Sequence, residues 1–139
     1  MKKTLIFLTL SLTALISSAQ TTAIPDANFE QALISLGLDT LPIDGLVLTA
    51  NINTITSLNV ISQSINNLTG IEDFTALDTL KCSGNGLTNL DLSQNTALTF
   101  LICSYNYLTN LNVSQNTALF RLQCGDNQLT NLNVTQNTA

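Results

Sequence analysis

Three thiols are the side chains of this sequence best suited to chemistry: Cys82, Cys103 and Cys124, each 21 residues after the last. Evenly spaced thiols can attack a substrate, hold a metal or bond to one another. The first two uses need partners that the chain lacks. It contains no histidine, so neither a Ser-His-acid nor a Cys-His arrangement is available. A straight column of cysteines does not surround zinc as a tetrahedron either. Disulfides stay open, because facing residues on neighbouring parallel strands lie ~4.8 Å apart, inside the range a disulfide spans. Three is an odd number, so at least one thiol is left over. The competing reading is a column of buried thiols packing as small hydrophobes.

The remaining candidates are weaker. Glu72 and Asp73 are adjacent carboxylates in the connection GIEDF and read as solvated. Gly84-Asn85-Gly86 is a single G-x-G in a loop, too little for a phosphate cradle. Asn67-Leu68-Thr69, Asn112-Val113-Ser114 and Asn133-Val134-Thr135 match a glycosylation sequon and read as part of the repeat. No catalytic centre, metal or cofactor is expected.

Everything around the cysteines repeats with them. TLKCSGNGLTNLDLSQNTAL, FLICSYNYLTNLNVSQNTAL and RLQCGDNQLTNLNVTQNTA fit L-x-x-L-x-C-x-x-N-x-L-x-x-L. A degenerate unit with Ile55, Leu58, Val60, Gln63, Ile65 and Leu68 precedes them at a 22-residue offset. Such a period means stacked coils, each burying the apolar face of its neighbour. Leu80-Lys81-Cys82 alternates apolar and polar residues, as a short half-buried strand does. Asn85, Asn106 and Asn127 sit where the chain leaves that strand and can satisfy backbone groups freed by the bend. LTNLDLSQNTAL carries no long helical period, so the far side of each coil is expected to be irregular, extended or single-turn.

The region before the repeats has two parts. Lys2 and Lys3, an apolar run over residues 5–16 and Ser17-Ser18-Ala19 form a secretion signal over residues 1–19, with cleavage before Gln20. The run is short for a membrane span, so no stable membrane insertion is expected after cleavage. Residues 24–37 read as one helix, started by Pro25 and Asp26, stopped by Gly37 and presenting Phe29, Leu33 and Leu36 on one face. Residues 39–52 read as turns and a strand. Residues 20–54 together form an N-terminal cap and residues 55–139 about four coils.

The repeat consensus is that of leucine-rich repeats, with Cys where Leu usually stands. IPDANFEQALISLGLDT, IDGLVLTANI and NLTGIEDFTAL ahead of the Cys-type units extend the likeness over essentially all of residues 20–139. The chain resembles secreted bacterial leucine-rich repeat proteins of internalin-like architecture, many of which are exported by type IX secretion. The resemblance implies an α/β solenoid: a right-handed coil with a parallel sheet on its concave face and a short helical cap. It implies adhesion or partner recognition more weakly, since fold does not settle function. The sequence stops one residue before the next expected Leu, which reads as truncation of a longer protein. The last coil then exposes an apolar end and a strand edge open to self-association.

Function is therefore sought where the repeat varies. The outward strand residues form two columns, Ser57-Thr79-Phe100-Arg121 and Asn59-Lys81-Ile102-Gln123, with Tyr105 and Tyr107 on the adjoining loop. Lys81, Phe100, Ile102, Tyr105, Tyr107 and Arg121 form the expected recognition patch, for a protein or glycan at a cell surface. Beyond the signal, Lys81 and Arg121 stand against nine acidic residues, which argues against binding nucleic acid or anionic membranes. The alternative function is an accessory repeat module of a larger secreted enzyme, its catalytic domain lying beyond residue 139.

Overall fold

The computed structural model describes residues 19–139. The signal assigned to residues 1–19 falls outside them, except for Ala19.

The N-terminal region holds more structure than one helix. Strand β1 (Thr21–Ala23) pairs antiparallel with β2 (Leu46–Leu48), and helix α1 (Ala27–Ser35) lies between them in sequence. A four-residue helix, α2 (Thr49–Ile52), follows β2, where the sequence suggested only turns and a strand. Asp26 stays extended and caps α1 by accepting from the backbone N–H of Asn28 (2.9 Å) and Phe29 (3.1 Å). At the far end Gly37 adopts φ +74°, and the N–H groups of Gly37 and Leu38 return to the carbonyls of Ile34 and Leu33. This left-handed exit ends the helix before residue 37. It also leaves Leu36 49% exposed, so only Phe29 and Leu33 of the expected face are buried.

Two acidic side chains tie this region together. Glu30 is fully buried and accepts from the N–H groups of Asp44 (2.7 Å) and Gly45 (2.8 Å). Asp26 uses its second oxygen on the N–H groups of Asn66 (2.8 Å) and Asn67 (3.0 Å), so one carboxylate grips both the helix and the first coil. Phe29 stacks on Phe74 with ring centroids 6.4 Å apart, carrying the cap's core into that of the repeats.

Strands β3 (Ser57–Asn59), β4 (Thr79–Lys81), β5 (Phe100–Ile102) and β6 (Arg121–Gln123) form one parallel sheet in sequence order. The central residue of each, Leu58, Leu80, Leu101 and Leu122, points inward, and the flanking pair points out. A 3-10 turn at Ile71–Asp73 is the regular element outside the strands in the described part of the repeat region. The rest of each coil is extended chain and turns, since its Asn, Ser and Thr bond locally.

Asparagine joins the coils. The Asn106 amide donates to the carbonyls of Cys82 (3.1 Å) and Cys103 (3.0 Å) and accepts from the Leu87 N–H (3.1 Å). Asn85 and Asn127 repeat this pattern one coil either way. Gln63, aligned with them in sequence, does not extend the column: its side chain is exposed and donates to its own Ile61 carbonyl. A second column, absent from the sequence reading, runs through the turns at residues 95, 116 and 137. Asn95, Asn116 and Asn137 each donate to two carbonyls of the preceding coil, 21 and 24 residues earlier.

All three cysteines are free thiols. Cys82 and Cys103 are buried, and Cys124 is half-buried in the last coil. Burial pushes the Cys82 thiol far above its ordinary value, with the neighbouring Cys103 adding to the effect. Burial likewise pushes Cys103 up to about 12, with Cys124 adding. These thiols pack as hydrophobes and are poor nucleophiles.

Candidate binding face

A three-residue parallel strand with its central Leu inward must present its first and third residues outward. The register aligns Ser57 with Thr79, Thr79 with Phe100 and Phe100 with Arg121 in one column. Asn59, Lys81, Ile102 and Gln123 align in the other. The repeat thereby carries two polar positions on β3, a cation on β4, two apolar side chains on β5 and a second cation on β6.

Phe100 is the centre of this group. The Arg121 guanidinium carbon lies 4.9 Å from its ring centroid, and the Lys81 ammonium lies 5.9 Å from it. Such contacts contribute ~0.5–1 kcal/mol at exposed sites and hold each cation near the ring. Ile102 shares β5 with Phe100 and is half-buried. Tyr105 and Tyr107 follow on the loop, 66% and 56% exposed. Tyr105 takes φ +57°, and its N–H donates to the Gly125 carbonyl (3.0 Å). The Tyr107 N–H donates to the Leu87 carbonyl (2.8 Å). The backbone of both tyrosines is thus fixed to neighbouring coils while their rings stand in solvent.

Of the six residues expected in the patch, contacts join Lys81, Phe100 and Arg121; Ile102 shares their strand face, and the tyrosines lie on the loop beyond. Sequence reasoning missed Phe120, which precedes β6 and is 67% exposed. It occupies the slot held by Asp78 and Thr99 in the preceding coils. A large apolar residue in an otherwise polar column was the available signal.

The acidic residues have other work. Glu72, read from sequence as solvated, accepts from the Gly70 N–H (2.8 Å), and Asp73 accepts from the buried Thr22 hydroxyl (2.6 Å). The sequon asparagines 67, 112 and 133 each accept from the backbone N–H two residues on, closing turns. Open polar clefts run along another side of the coils, lined by Asn89, Asp91, Asn110, Asn112, Asn131 and Asn133. The one nearest the cap encloses about 370 Å³. None of the six patch residues lines them.

Stacked coils with a parallel sheet, inward Leu and an asparagine column define a leucine-rich repeat solenoid, and its architecture is internalin-like. The chain is 54% identical over 43 residues to Internalin J of Listeria monocytogenes serotype 4b, covering 31% of this chain and 5% of that protein. Among solved structures it resembles the functional domain of InlJ from Listeria monocytogenes, which includes a cysteine ladder. The TM-score is 0.77 at 41% identity, over 86% of this chain and 27% of that one. It also resembles an internalin, InlF, of the same species, with TM-score 0.73 at 25% identity, over 79% of this chain and 33% of that one. The chain thus spans about a quarter to a third of the solved relatives and about a twentieth of the curated one. No family model matches the chain. Among the described residues no helix is long and apolar enough to cross a membrane.

Proposed function

We propose that this chain is a non-catalytic, extracellular binding module that adheres to a protein or glycan partner through the outward face of its sheet. The single observation that carries this reading is Phe100 with Arg121 and Lys81 both resting on its ring. Coils built alike elsewhere differ here, and the difference gathers aromatic and cationic side chains of the kind that dominate binding energetics. Exposed Tyr105, Tyr107 and Phe120 extend the apolar area to either side. The secretion signal read from residues 1–19 supplies the extracellular setting.

Binding of the purified chain to an array of extracellular proteins and glycans tests the reading, alongside the double variant Phe100→Ala/Arg121→Ala. The variant is expected to keep the wild-type melting temperature within a few degrees, since neither side chain belongs to the buried core. It is expected to lose the wild-type signals. A folded variant with an unchanged binding pattern overturns the reading.

A further inference from the structure

We propose that this face takes an extended acidic segment of a partner protein, with carboxylates on Arg121 and Lys81 and apolar side chains against Ile102 and Phe120. The inference rests on the reading of the sheet face as the binding surface and adds the chemistry of its ligand. Charge is the first ground. Lys81 and Arg121 are the basic residues of the described chain, against nine acidic ones, none of which lies on the four parallel strands. The acidic residues flanking these strands are Asp78, whose carboxylate accepts from the hydroxyls of Thr79 and Thr99, and Asp126, in the loop after β6. An acidic body with its cations gathered in one place disfavours an anion elsewhere and draws it there.

Geometry is the second ground. A guanidinium carried on an aromatic face keeps its in-plane N–H groups for two-pronged contact with a carboxylate. The cations come from strands two steps apart, ~10 Å at ~4.8 Å per step, which an extended chain crosses in about three residues. Side chains on an extended chain alternate in direction, so acidic residues two or four apart share a face and reach both cations, which converge on one ring.

The third ground favours peptide over acidic glycan. The surface between the cations is the Phe100 ring and Ile102, and exposed Phe120 adjoins Arg121. A sugar lays its C–H face on an aromatic ring, but its hydroxyls gain no partner over Ile102 and lose water there. An extended peptide instead alternates its side chains between two directions and can set apolar groups beside carboxylates.

The test is selection of a displayed random-peptide library on the full chain at low salt. Affinities of the selected peptides are then measured for wild type, for Lys81→Gln/Arg121→Gln and for Tyr107→Ala/Phe120→Ala. Polygalacturonate serves as an acidic-glycan arm, and melting temperatures confirm that both variants fold. We expect peptides rich in Asp and Glu with interspersed apolar residues. They should bind the Gln pair about tenfold more weakly or worse and lose affinity as salt rises. Neutral or basic peptides, or no binders at all, overturn the inference. Acidic peptides that weaken on the Tyr107/Phe120 pair but not on the Gln pair overturn it too, while leaving the binding-face reading standing. Peptides indifferent to both pairs overturn both. Polygalacturonate binding that depends on Arg121, with no peptide bound, replaces the protein segment by a glycan.

Discussion

Removing the Asn106 side chain strands the Leu87 N–H and deprives the carbonyls of Cys82 and Cys103 of a donor. Asn106 is buried, so water does not replace the lost bonds. The Cys82 and Cys103 carbonyls keep the amides of Asn85 and Asn127, so the Leu87 N–H is the group left unpaired, and Asn106→Ala should cost about 2 kcal/mol in urea unfolding, given ~1–3 kcal/mol for a buried group left unpaired. Thr109→Ala, at an exposed position in the same coil, should stay within about 0.5 kcal/mol. Equal effects would mean that the column is incidental to stability. The thiols make a second residue-scale prediction. The folded-state value of Cys103 is about 12 against an ordinary 9.0, so the native chain holds a proton that the unfolded chain releases. The stability this group supplies is fully present below pH 9 and declines as pH rises from 9 towards 12. Cys82, raised in the same direction, adds to the decline. The denaturation midpoint should therefore fall over this range, and less steeply in Cys82→Ala/Cys103→Ala. An identical slope in that variant would contradict free, buried thiols in solution.

At the scale of elements, the junction between cap and coils depends on Asp26, whose two oxygens receive four backbone N–H groups. Asp26→Ala removes both the helix cap and the grip on residues 66–67, and about 2 kcal/mol is expected, the upper end for a lost N-cap. Asp26→Asn, keeping one acceptor oxygen, should recover part of it. A neutral Asp26→Ala would show that the cap docks through its apolar face alone. The start of α1 was legible because Pro25 and Asp26 are local signals. The β1–β2 pair was not, because it joins short segments 25 residues or so apart, and each carries only one buried residue. Helix α2 was missed for the same reason: one turn is too short to show a period. The alignment of the repeat strands was legible, since the period fixes which positions must face one another, and the register reproduces both outward columns; the strand itself runs Thr79–Lys81, one residue earlier than the Leu80–Cys82 alternation suggested. The second asparagine column repeats just as faithfully at positions 95, 116 and 137. It went unread because a turn-rich context makes Asn look solvated. Phe120 was missed because only strand and loop positions with a clear outward direction were considered.

The whole molecule is a linear stack in which each coil touches its neighbours, so shape and stability are spread along the chain while its chemical variation is concentrated. That variation falls on β4 to β6 and the loop after β5, and the identical coil-to-coil asparagines fall elsewhere. One side of the solenoid is therefore set apart by sequence, and it is the side proposed to bind. The direct test is photocrosslinking to an array partner or selected peptide with benzoylphenylalanine at position 107, on the proposed face, or at position 110, beside the polar clefts. Crosslinks are expected from 107 and none from 110. Crosslinks from 110 alone would place the partner on the cleft side and contradict the proposed binding face.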